Sequence, residues 1–394
     1  MRAILRGALV ASGAVVTFGC TDIPTGGSKD AAGGIGPPGS VTFAISGEAL
    51  VHTGAPFPAS PGGIAFVDGW EISFDEVLTT VDHVALSETP DRSPSDPSQT
   101  GAVVAQIDGP WVVDLRKKGT LPGKGGPGDS AIAIATLLGQ NRNGDRAFDP
   151  ERRYALSFEI VSPSPRAVML NLSEQARTDY TEMISTGYTS LFVGTATFKG
   201  AACASSDPTY DFTRLPRIVR FRFGFSTPVA YRNCQNPDND PAEPFGGEEH
   251  QRGVLIRENA PTVAQLTIHT DHLFWEAIAH DAPLHFDMIA ARYLTPSTGP
   301  GDAGKDSGAP PVTRLEDFIG APFAPFLDAS GSPLPWRACV DPGDYVLPFG
   351  AVSFDTKGAN VRDYYEYEQY NESTLGHLNA DGLCFVARRY PSPN

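Results

Sequence analysis

The chain is 394 residues long, 41% hydrophobic and 10% aromatic, with a formal net charge of −16. That is enough apolar material for a real core, which excludes wholesale disorder. The negative charge repels a phosphate backbone, so no nucleic-acid partner is expected.

Arg2 and Arg6 precede an apolar run over residues 7–18, too short to span a bilayer, and Cys20 comes directly after it. This is the layout of a bacterial lipoprotein signal, with cleavage before Cys20 and acylation of that residue; secretion without a lipid is the alternative. Residues 1–19 are read as the signal peptide and 20–40, rich in glycine and proline, as a tether to the membrane. Thr21 after the cysteine points to the outer membrane, facing the periplasm or the cell surface.

With 41 glycines, 35 prolines and few long helical patterns, the rest reads as short strands joined by turns, a mainly β, β-sandwich-like fold. Strands are expected at Val41–Ser46, 63–67, 70–86, 102–107, 111–115, 154–161, 167–170 and 188–198. In 70–86, Val77, Thr79, Val81, His83 and Ala85 should share one face, with Leu78, Thr80, Asp82, Val84 and Leu86 on the other. Ser173 can cap a short helix over SEQARTDYTEMI. Ile218–Phe225 alternates cleanly, and 262–269 is a strand leading into a turn where Asp271 can cap a helix over HLFWEAIA. A further helix is expected around 313–319. The chain divides into a sandwich-like region over 41–200 and a β-rich region over 201–394.

Without Cys20, an even set remains: Cys203, Cys234, Cys339 and Cys384. In an exported chain they should form disulfides, most simply between sequence neighbours, Cys203 with Cys234 and Cys339 with Cys384.

Residues 265–287 hold four of the eight histidines: His269, His272, His280 and His285. On a strand, His269 and Asp271 point to one face, away from Leu266 and Ile268, and His272 can turn back to the same point. Two imidazoles and a carboxylate within four residues suit a transition metal such as copper or zinc. His280, His285 and the distant His377 are the candidates to complete the site. The bland alternative is that these are hydrogen-bonded histidines beside a strand end. A weaker candidate is a calcium loop over 141–149, with oxygens from Asn141, Asn143, Asp145 and Asp149, although Arg152 stands where a calcium loop has its glutamate. There is no GxSxG motif. A metal-assisted hydrolase would need Glu276 as its base. Tyr364, Tyr365, Tyr367 and Tyr370 with Trp336 could form a sugar-stacking platform, a core or an interface.

The signal with Cys20, the segment DGWEISFDEVLTTVDHVAL, HTDHLFW and GHLNADGLC resemble a group of predicted lipoproteins from predatory and soil proteobacteria. That resemblance implies an outer-membrane-anchored β protein and carries no particular activity. A fainter similarity, through His269, His272 and Trp275, is to periplasmic copper-binding proteins of the methanobactin-binding type, and it implies copper. The expectation is a non-enzymatic, metal-binding lipoprotein, against a metal-free adhesion or ligand-binding sandwich.

Overall fold

Alternating apolar residues become strands with one face on a shared core. In the computed structural model the described residues are 27–28, 35–60, 63–141, 146–241, 247–280, 282–293 and 312–390. The expected signal, Cys20, Asn143 and Asp145 lie outside them. In chain order the main strands are β1 (Val41–Ser46), β2 (Trp70–Ser87), β3 (Ser130–Leu137), β4 (Arg153–Ile160), β5 (Ser190–Phe198) and β6 (Ile218–Phe225). They continue with β7 (Val229–Arg232), β8 (Thr262–Ile268), β9 (Val312–Arg314), β10 (Gly376–Leu378) and β11 (Phe385–Arg388). The helices are α1 (Glu48–Thr53), α2 (Glu174–Thr186), α3 (Asp287–Arg292) and α4 (Tyr364–Asn371).

The protein is mainly β, as its composition implied. The larger sheet runs β9-β6-β5-β2-β4-β7-β11; the smaller runs Gly27–Ser28, β3, β1, β8, β10, Gly382–Leu383. Val41, Phe43 and Ile45 of β1 and Ala264, Leu266 and Ile268 of β8 join Phe74, Phe158, Phe192 and Phe221 of the larger sheet in one apolar cluster. The outer face of the larger sheet is covered by α2, whose Ala176, Tyr180 and Met183 pack on Leu78, Val112 and Leu191. Ser173 caps α2 as expected, its Oγ accepting from Ala176 N at 3.1 Å. Residue 200, the boundary expected from sequence, falls between β5 and β6, which pair antiparallel. No helix among the described residues is long and apolar enough to cross a membrane.

Strict alternation fails in β2. His83 adopts φ 52° and the pairing with β4 slips between Asp82 and Ala85, so one residue bulges out. Val84 and Leu86 therefore face the same core as Val77 and Val81, while His83 is exposed. A period of two cannot register an inserted residue, so it places Val84 and Leu86 on the wrong face. Residues 63–67 form no strand beyond a bridge from Phe66 to Leu284. The expected helix near 313–319 is β9 and then a single 3-10 turn, Leu315–Phe318.

All four of these cysteines are oxidised, but the pairs are Cys203–Cys339 and Cys234–Cys384. Strand neighbours decide this. Ala204 pairs with Ala338, which sets Cys203 beside Cys339, and Arg232 of β7 pairs with Phe385 of β11, which sets Cys234 beside Cys384. Each bridge closes a loop of more than a hundred residues, a constraint on the unfolded chain worth about 2–5 kcal/mol. A non-reducing digest should release peptides linked 203 to 339 and 234 to 384; linkage of 203 to 234 would contradict this packing.

Candidate metal centre

Strand register builds the site. β8 runs parallel to β1 with Thr267 opposite Ser46. Two residues beyond each lie His269 and Glu48, and His269 Nδ1 comes within 3.3 Å of Glu48 Oε2. On the other side of β8, β10 runs antiparallel with His377 opposite Thr267. The His377 ring therefore sits 4.3 Å from that of His269.

The chain then turns tightly. In place of the α-helix expected after Asp271, a 3-10 helix spans Thr270–Phe274 with His269 at its N-cap position and Asp271 in its first turn. That winding carries His272 back, its ring 5.2 Å from that of His269 and stacked on Trp275 at 3.6 Å. One ligand atom from each of His269, Asp271 and His272 lies within 4.8 Å of the others.

Hydrogen bonds set where the lone pairs are. Thr374 Oγ1 donates its one proton to Asn371 O at 2.7 Å, so at 2.9 Å from His272 Nδ1 it can only accept. Nδ1 of His272 thus carries the proton, and its Nε2 keeps a lone pair. His377 Nδ1 is buried with no hydrogen-bond partner among the described residues. Burial, and then the neighbouring imidazoles, push both His272 and His377 well below the ordinary histidine range. Both are neutral near pH 7, the form that coordinates metals.

Two residues of this cluster escaped the sequence reading. Glu48, His269 and Asp381 form a second group with ligand atoms within 4.8 Å of one another. Glu48 begins α1 in the left-handed region at φ 63°, and burial pushes its carboxyl up to about 7. Asp381 is exposed and comes after the turn through Asn379 and Ala380, both at positive φ. Burial also raises the carboxyl of Asp271. Nothing local to Glu48 marks it; only the parallel pairing of β1 and β8 brings it in.

The other candidates divide. His280 lies close enough to His272 and His377 for its charge to bias both. His285 belongs to a separate buried network: its Nε2 meets Glu276 Oε2 at 2.8 Å, and its Nδ1 lies 3.8 Å from Asp68 Oδ2. Tyr345 donates to the same Glu276 oxygen at 3.1 Å, so that carboxylate is held on His285. Asp287 accepts from Trp70 Nε1 at 2.8 Å and pairs with Arg337. In the calcium candidate, the Asn141 side chain is engaged with Gln106 N at 2.9 Å, and Asp149 pairs with Arg152 at 3.0 Å. Tyr364 and Tyr367 are buried and stack on each other inside the core, leaving no exposed platform there.

No family model, no curated protein and no solved structure matches the chain.

The depressed imidazoles fix a pH dependence. A buried neutral histidine takes up its proton more readily when unfolded, so the stability that each of these two rings contributes is full above about 6.5 and is lost as pH drops below it. In chelator-treated protein, denaturant titrations at pH 7.5 and 5.0 should show a larger loss for wild type than for His377→Gln. Equal losses would show that His377 is not held neutral.

Proposed function

We propose that the chain is a lipid-tethered, extracytoplasmic protein that binds a transition metal, copper or zinc, through His269, Asp271 and His272, with His377 beside them. The reading is non-enzymatic. It is carried by one observation: three ligand atoms from a strand end and the turn after it lie within 4.8 Å of one another. The free lone pair of His272 and the unpartnered Nδ1 of His377 support it, because a buried polar atom without a partner costs free energy that a ligand would recover. Imidazole with one carboxylate is a donor set for copper or zinc rather than calcium. The two disulfides fit an oxidising compartment, and the tether rests on the Cys20 sequence pattern.

A second reading has its own support. The contacts His269 makes with Ala380 and His272 makes with Thr374 are those of histidines that hold a turn together. On that reading the protein is a metal-free adhesion or ligand-binding sandwich.

Elemental analysis separates the two. Chelator-stripped protein reloaded with Cu(II) or Zn(II) and desalted should retain metal at one equivalent or more, and His272→Ala should retain at least tenfold less. Wild type without stoichiometric metal would leave the second reading standing.

A further inference from the structure

The contact between His269 and Glu48 has an unusual polarity. His269 Nε2 lies 3.0 Å from the carbonyl oxygen of Ala380, which can only accept, so Nε2 carries a proton. In the neutral ring, Nδ1 then presents a lone pair, and it faces the Glu48 carboxyl at 3.3 Å. Two acceptors do not face each other at that distance without something positive between them. A proton shared between the two, on Glu48 or on His269 Nδ1, is one answer; a metal cation is the other.

The surroundings favour a cation. Asp381 brings a second carboxylate within 4.8 Å of a His269 ring nitrogen and of Glu48, and Asp271 lies close enough to Glu48 for their charges to repel. His377, with its unpartnered buried Nδ1, is in ring contact on the far side of His269. The two groups of ligand atoms share His269 and come from different parts of the sequence, one local to 269–272 and one assembled from 48 and 381.

We infer that Glu48 is an anionic metal ligand, binding with His269 Nδ1 and assisted by Asp381. This rests on the metal-binding reading and narrows it. The bound species is a divalent cation that accepts carboxylate as well as imidazole, Cu(II) or Zn(II), rather than Cu(I), which prefers softer donors. Burial grades across the group, from exposed Asp381 through half-buried Glu48 to buried His272 and His377, so the carboxylates form the side open to solvent.

Glu48→Gln is the test, because the introduced amide can still donate to Nδ1 while removing the charge and the ligand. Competitive titration with Cu(II) and Zn(II) should show Kd weakened about tenfold or more, with a changed Cu(II) hyperfine splitting by electron paramagnetic resonance. The melting temperature of the metal-free protein should hold. Wild-type affinity and an unchanged Cu(II) signal in Glu48→Gln would mean that Glu48 merely shares a proton with His269, and would overturn the assignment while leaving the His269–His272 site intact. If wild type binds neither ion, both readings fall together. Should Glu48→Gln not fold, Asp381→Asn, at an exposed position, should weaken binding in the same direction by a smaller factor, and unchanged affinity there would overturn the assignment.

Discussion

The parallel pairing of Val41–Ser46 with Thr262–Ile268 is the constraint on which the rest of the architecture depends. It joins the first long strand of the chain to one more than two hundred residues later and seats both in the middle of the smaller sheet. Parallel neighbours need a long crossover, and here almost the whole larger sheet is built within that crossover. Because both strands end in step, the segments leaving them are delivered to one place. Those segments begin with the α1 glutamate and the His269 turn. The antiparallel addition of Gly376–Leu378 on the free side of β8 brings the third imidazole.

The physical character of the site comes from its position at the rim of a buried sheet. The inward residues of β8 are apolar and belong to the core, whereas Gln265, Thr267 and His269 face outward under a polar cover. Gln265 accepts from Lys124 N at 2.9 Å and Thr267 from Ala380 N at 3.0 Å, so loops from both halves of the chain are pinned over the strand. His272 and His377 are thus desolvated enough to stay neutral, and oxygen partners hold the rings of His269 and His272. A second buried carboxylate network, Asp68 with His285 and Asp287 with Arg337, lies apart from this centre. It ties α3 to the start of β2 and to the segment bearing Cys339. Asp68, pushed up to about 7 by burial, accepts from the backbone of Phe286 and Asp287, which explains its place as a structural anchor.

Much of this was legible in the residues, and the parts that were not share a cause. Local signals worked for the alternation of Ile218–Phe225 and the Ser173 cap, which became what their patterns implied, and the histidines at 269 and 272 do lie close together. The turn after His269 winds as a 3-10 helix over Thr270–Phe274, with His272 stacked on Trp275, where the residue pattern implied an α-helix. Non-local choices left no local trace. The disulfide partners depend on which strands lie side by side, and sequence proximity pointed elsewhere. β3, SAIAIATL, lacks the polar alternation of a half-buried strand because both of its faces are covered. Glu48 looks like an ordinary first-turn residue of a short helix until parallel pairing sets it against His269.

X-ray absorption on Zn(II)-loaded wild-type protein tests the histidine centre most directly. A nitrogen and oxygen shell at about 2.0–2.1 Å is expected, with the multiple-scattering pattern of at least two imidazoles and no sulfur. A spectrum with an oxygen-only shell and no imidazole scattering would show that these histidines do not hold the metal, and the central claim would fail.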